Sequence, residues 1–158
     1  MISVLFIPLD DRPATRDGVL DLARAAGIEI LSPERSLLGD RGRGADVRRL
    51  WTWVNAQLTT AKVPAACIAS VEMLCFGGLV ASRTSTRHWR NMLPLLDEVH
   101  ALAARVPTYL SAVIPRTPVQ GGGGEDPEYW ETYGGALRAY MLAADQFAWM
   151  GDAAAPPQ

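Results

Sequence analysis

Residues 2–13 join an apolar run to a charged turn, in the order Ile2-Ser3-Val4-Leu5-Phe6-Ile7-Pro8-Leu9-Asp10-Asp11-Arg12-Pro13. A short run rich in β-branched and aromatic residues, cut off by charge, is typical of a buried strand in a parallel sheet. In α/β folds, ligands bind at the carboxyl ends of such strands, where helix N-termini also converge. This stretch therefore predicts an α/β fold with a site just after the first strand.

Further along the chain, short apolar runs alternate with stripes of helical period. Runs of strand length recur at residues 28–31, 65–71 and 109–114, and a helical stripe follows each strand. The order is four βα units with no hairpin signal, which requires a mainly parallel four-stranded sheet with right-handed crossovers. Such a chain is either half of a (β/α)₈-like barrel or a small doubly wound sheet.

Capping residues predict where the helices begin and end. Thr15 is the expected N-cap of a first helix that ends at Gly27, and Asp46 is the expected cap of the second. Pro94 lies inside the third stripe, so that helix either kinks or begins close to the proline. The fourth helix is expected to start at Asp126.

Length and composition narrow the class of protein. The 158 residues predict one domain over residues 1–150, followed by a disordered tail at 151–158. With a net charge of −2 and no basic stripe, we expect no nucleic-acid partner. No stretch approaches the ~20 apolar residues of a membrane helix, and the first run lacks the basic flank of a secretory signal. We therefore expect a cytoplasmic protein without a membrane partner.

Charged residues and glycines follow the predicted strands. Because the carboxyl ends of parallel strands share one edge, we expect these side chains to lie close together. Carboxylates there can divide acid and base roles, and arginines can orient a hydroxyl-rich or anionic substrate. The candidate catalytic residues are Asp10, Asp11 and Glu72, and the candidate substrate-binding residues are Arg12, Gly77, Gly78, Arg83 and Arg116.

Each candidate also has a purely structural interpretation. Asp10 or Asp11 could form a local ion pair with Arg12 or cap the first helix, and Gly77 and Gly78 could be turn glycines. The first strand is not followed by a glycine-rich phosphate-binding motif, so no cofactor is predicted. The carboxylates could instead hold a divalent cation through oxygen ligands, although no metal-ligand motif is present.

Three segments resemble the N-terminal part of a bacterial family catalogued as domain of unknown function 4127. These are residues 5–13, residues 70–83 and residues 128–134. Family members are longer and usually carry aspartate where Glu72 stands, so the resemblance implies the N-terminal portion of a longer architecture, in truncated or split form. The family name brings no established activity.

Two functional hypotheses from different classes follow. The first is the N-terminal half of a carboxylate-based hydrolase that binds a small molecule, with carbohydrate as the expected substrate class. The second is a non-catalytic remnant or binding module. In that case an exposed sheet edge would favour self-association or a partner half encoded downstream.

Overall fold

The computed structural model describes residues 2–40, 43–114 and 124–150. Its contacts divide the chain into two compact units, Met1–Val113 and Ile114–Gln158, and each is described by itself. The boundary falls within the span 1–150 that the sequence assigns to one domain. The predicted tail at 151–158 lies outside the described residues.

The first unit alternates strands and helices, and the second contributes one long helix. In chain order the elements are β1 (Ser3–Ile7), α1 (Asp17–Ala25), β2 (Glu29–Leu31), β3 (Gly39–Asp40), β4 (Arg43–Gly44), α2 (Val47–Gln57), β5 (Ala66–Ser70), α3 (Val71–Phe76), α4 (Leu79–Thr84), α5 (Leu93–Arg105), β6 (Thr108–Ser111) and α6 (Tyr129–Met150), with short 3₁₀ helices at Arg35–Leu37 and Trp89–Met92.

The main sheet has four strands in the order β2-β1-β5-β6, and every pair is parallel. This confirms the predicted α/β class and its parallel four-stranded sheet. In a (β/α)₈ barrel each strand lies beside its successor, whereas here the chain moves to one side of β1 and then to the other. The order is that of a doubly wound sheet, with its topological switch point between β1 and β5.

The core lies between one face of the sheet and helices α2 and α5. In the register Leu5 pairs with Cys67 and Ile7 with Ala69, so these four side chains line the same face. They form a single apolar cluster with the inward stripes of the two helices. Burial of both a strand face and a helix stripe is what stabilises this layer. The cluster members on α2 and α5 are Val47, Leu50, Trp51, Val54, Val99 and Leu102, and α3 adds Met73, Leu74 and Cys75.

Several helix boundaries follow the predicted caps. The Asp46 carboxylate accepts hydrogen bonds from the backbone N–H groups of Arg48 (3.0 Å) and Arg49 (3.1 Å), as expected of an N-cap. Helix α5 begins at Leu93, so Pro94 sits in the first turn, where its missing N–H costs little. Gly27, with φ 69°, closes α1 in the left-handed conformation.

Other boundaries differ from the sequence prediction. The strand expected over 65–71 ends at Ser70, because the Ser70 side chain caps a new helix that starts at Val71. Between β2 and α2, Gly39–Asp40 pairs antiparallel with Arg43–Gly44, so the prediction of a chain without hairpins was wrong at this position. The last helix begins at Tyr129 rather than at the expected cap.

Both cysteines lie in the interior as free thiols. Cys67 and Cys75 are buried and unpaired. Burial raises the pKa of Cys67 to about 12, so the thiol stays protonated at neutral pH. These residues act as small apolar core members rather than as nucleophiles.

Part of the sheet remains open to solvent. β6 is an edge strand, and its Tyr109 and Leu110 are 65% and 48% exposed. Ile68 on the neighbouring strand is 44% exposed. Across the described parts of the chain, no helix is both long and apolar enough to cross a membrane.

Candidate functional site

The loop after β1 is organised by the Asp10 carboxylate. Its Oδ2 accepts a hydrogen bond from Arg12 Nε at 2.7 Å and pairs with Arg12 Nη2 at 2.5 Å. Its Oδ1 accepts from the Arg12 backbone N–H at 3.2 Å and from the Thr15 hydroxyl. The prediction that Thr15 caps α1 was wrong: the N-cap position is Arg16, and the Thr15 hydroxyl binds Asp10 instead.

The electrostatics of this loop keep Asp10 charged. Partial burial raises the pKa of Asp10, but the hydrogen bonds from Arg12 and Thr15 together outweigh burial and leave the pKa below its ordinary value. A carboxyl group held in this state is a poor proton donor near neutral pH. Asp10 is thus suited to fixing the shape of the loop.

This lowered pKa predicts acid-sensitive stabilisation. The pKa of Asp10 is lower in the folded protein than in the unfolded chain. Its carboxylate therefore stabilises the fold fully above the unfolded-state pKa, and this stabilisation is lost as the pH falls through the folded-state pKa. We expect Asp10→Asn to lower the free energy of unfolding by about 1 kcal/mol at pH 7. The difference should shrink steadily below about pH 4.

Urea unfolding of both proteins at pH 7, 5 and 3 measures this difference. Asp21→Asn is the matched control, because Asp21 forms an exposed i,i+3 pair with Arg24 on α1. Such surface pairs contribute little to stability, so the free energy of unfolding of the control should stay close to that of the unmodified chain at every pH. A pH-independent effect of Asp10→Asn would contradict the linkage.

Asp11 differs from its neighbour. It is half-buried, and its carboxylate has no hydrogen-bond or ion-pair partner within residues 2–40, 43–114 and 124–150. Among the described residues, Asp11 is therefore the carboxylate of this loop without a partner.

Glu72 lies at the carboxyl end of the adjacent strand, in the first turn of α3. Its side chain is buried: Oε2 accepts from the Ser70 hydroxyl at 2.6 Å, and Oε1 accepts from the Val113 backbone N–H at 2.6 Å. The Glu72 charge also adds to burial in raising the pKa of Cys75. Glu72 thus joins the end of β5 to the segment after β6.

The glycine pair forms the corner between α3 and α4. Gly77 has φ 88°, and its carbonyl accepts from the Ala45 N–H at 2.8 Å. Gly78 donates its N–H to the Glu72 carbonyl at 3.1 Å. A Cβ at Gly78 would lie 3.7 Å from the Leu9 carbonyl oxygen, so this corner abuts the residue before Asp10. The turn interpretation accounts for both glycines, and their contact with a substrate stays a prediction.

Two candidates remain, Arg83 and Arg116. Arg83 is half-buried in α4, and Arg116 lies outside the described residues. Asp10 pairs with Arg12, and the Gly78 N–H donates to the Glu72 carbonyl. In the described residues no group of three or more histidine, cysteine, aspartate or glutamate side chains is placed to hold a metal ion.

Comparison with known protein families identifies the family of this chain. A family model described as a protein of unknown function (DUF4127) matches residues 4–154. The chain belongs to the DUF4127 family. The resemblance of the three segments is thereby confirmed, and the DUF4127 match includes the Asp10 loop, Glu72 and the glycine corner. No curated protein and no solved structure matches significantly.

The sequence did not predict the two hydroxyl groups that bind the carboxylates at the β1–β5 edge, those of Thr15 and Ser70. Thr15 was expected at a helix terminus, and nothing local indicated that its hydroxyl bonds to Asp10. Ser70, a polar residue closing an apolar strand, was the one visible signal for the Glu72 network.

Proposed function

We propose that the edge between β1 and β5 is the ligand site of a hydrolase and that Asp11 is its acid–base carboxylate. The observation that carries this proposal is the strand order. Doubly wound sheets bind ligands at the carboxyl ends of the strands where the order reverses. Asp11 follows β1 at this point and has no partner among the described residues.

The contacts of Asp10 and Glu72 support different roles for the three carboxylates. Asp10 is held by Arg12 and Thr15, so the backbone that carries Asp11 is restrained. Both oxygens of Glu72 accept hydrogen bonds from within the chain, which favours a positioning role for this residue. Asp11 is then the group that contacts substrate, as a base toward water or as a hydrogen-bond acceptor for a sugar hydroxyl.

Carbohydrate is the proposed substrate class. A carboxylate near a guanidinium group binds vicinal hydroxyls through paired hydrogen bonds, and Asp11 is followed in the sequence by Arg12, whose guanidinium is held by Asp10. The loop carries two adjacent carboxylates, so a hydroxyl-rich neutral substrate suits it better than a phosphate.

Turnover of a broad panel of glycosides by the full chain tests this proposal. We expect Asp11→Asn to lower kcat/KM by a factor of about 100 or more, the usual range for loss of an acid–base group. Asp21→Asn, an exposed carboxylate on α1, should leave kcat/KM unchanged. Absence of turnover by the unmodified chain, or full activity in Asp11→Asn, would contradict the assignment.

The alternative role as an association module stays a prediction. Its support is the edge strand β6, whose exposed Tyr109 and Leu110 leave apolar surface and unpaired backbone available to another chain.

A further inference from the structure

The helix of the second unit, α6, leaves apolar side chains open to solvent. It spans Tyr129–Met150, which is 22 residues or a length of about 33 Å. Tyr133, Leu137 and Tyr140 are 61%, 39% and 60% exposed. Side chains three, four and seven residues apart share one face of a helix. These three residues therefore form one exposed stripe over two turns of α6.

The charged residues of α6 form a row beside this exposed stripe. They are Glu131, Arg138 and Asp145, which are seven residues apart and alternate in sign. Seven residues make nearly two turns of an α-helix, so the three side chains lie along one line. Leu137 lies between this charged row and the two tyrosines. In heptad terms, Leu137 occupies the centre of a helix–helix seam, with the charged row on one flank and the tyrosines on the other.

Two charges of the row have no partner within the part of the chain that the structure describes. Glu131 is exposed and Arg138 is half-buried, and neither side chain forms a hydrogen bond or ion pair with another described residue. The two positions are ~10 Å apart along the helix axis. A second row with the same spacing and the opposite order of charges would complement them.

A second copy of α6 has that order when it runs in the opposite direction. Glu131 of each copy then lies opposite Arg138 of the other copy, so two ion pairs form around one two-fold axis. In a parallel pair in register, each charge would face the same charge of the other copy, and the two helices would repel each other along this flank. The order of the charges therefore favours an antiparallel pair.

We propose that two copies of this chain form an antiparallel, two-fold symmetric dimer through α6. With Glu131 opposite Arg138, the two helices overlap over residues 129–140, and this segment includes the whole exposed stripe. Removal of the stripe from water stabilises the dimer, and the charged row sets its direction and register. The proposal does not depend on the hydrolase assignment, since α6 contributes none of the residues assigned to the β1–β5 edge.

Sedimentation equilibrium of the full chain tests for the dimer. An overlap of about 12 residues, ~18 Å long, makes a small interface, so we expect a reversible monomer–dimer equilibrium with a Kd on the order of micromolar. The measurement covers about a hundredfold range of protein concentration, up to about 200 μM. A monomer at every concentration would overturn the proposal.

Two complementary charge variants test the antiparallel register. Glu131→Lys leaves only positive charges at the two paired positions, and Arg138→Glu leaves only negative charges. We expect each variant alone to dimerise at least about tenfold more weakly than the unmodified chain. An equimolar mixture of the two should recover the affinity of the unmodified chain, because opposite charges then face each other at both positions.

The mixture separates the proposed contact from an effect on folding, because mixing does not repair a misfolded chain. Asp145→Lys is the matched control, since it reverses a charge of the same row outside the overlap and should leave the Kd unchanged. Tyr109→Asp places a charge on the exposed edge strand β6 and should also leave the Kd unchanged. A mixture no more associated than its components, or loss of the dimer in either control, would contradict the assignment of this α6 segment as the interface.

Discussion

Gly77→Ala is expected to lower the free energy of unfolding by about 3 kcal/mol or more. The backbone at Gly77 has φ 88°, a conformation that costs a residue with a Cβ about 1–2 kcal/mol. The added Cβ would also lie 2.4 Å from the Ala45 carbonyl oxygen. Relief of this clash requires a backbone shift that breaks the 2.8 Å hydrogen bond from Ala45 N–H to the Gly77 carbonyl.

The matched control for this substitution is Gly18→Ala. Gly18 lies in α1, where a Cβ would meet only the Pro13 carbonyl oxygen at 3.8 Å, an ordinary contact. Because alanine is the better helix former, we expect a gain of about 0.5 kcal/mol. Urea unfolding followed by circular dichroism measures both variants. Stability of Gly77→Ala within 1 kcal/mol of the unmodified chain would mean that the corner can relax around a side chain.

Glu72→Ala is expected to lower the free energy of unfolding by about 2–3 kcal/mol. Glu72 is 7% exposed, and its removal leaves the Ser70 hydroxyl and the Val113 N–H without their acceptor. Glu72→Gln should cost about 1 kcal/mol, because its amide can accept from Val113 and donate to the Ser70 oxygen. The difference between the two variants separates loss of a contact from loss of a charge.

Urea unfolding of both Glu72 variants, with Ser70→Ala and the double variant, completes the test. If the hydrogen bond from Ser70 to Glu72 couples the two residues, the stability losses in Glu72→Ala and Ser70→Ala will add up to more than the loss in the double variant. Glu34→Ala provides the surface control, since the exposed Glu34 side chain caps nothing. A loss below 0.5 kcal/mol in Glu72→Ala would show that the end of β6 is held by other contacts.

The parallel sheet could be predicted from sequence, but the order of its strands could not. Continuous apolar runs such as 2–9 and 65–71 indicate strands buried on both faces, and helical stripes between them require crossovers. A barrel and a doubly wound sheet share that alternation. Which strand pairs with β1 depends on contacts such as Leu5 with Cys67, which local periodicity does not encode.

The contacts of the candidate site could be predicted only where they are local in sequence. The local pairing of Asp10 with Arg12 was visible, because the two residues are near neighbours in one turn. The partners of Glu72 were not, because the Val113 group is a backbone N–H that folding brings from a distant segment. Long-range contacts to backbone leave no residue-type signature in either segment.

The internal position of β1 has a consequence for synthesis on the ribosome. One neighbour of β1 is translated soon after it, but the other begins only at Ala66. At translation rates of roughly 5–20 residues per second, the nascent β1 waits several seconds with one side unpaired. During that interval the side chains of Leu5 and Ile7 lack their final packing partners, which leaves the growing polypeptide open to misassembly or chaperone binding.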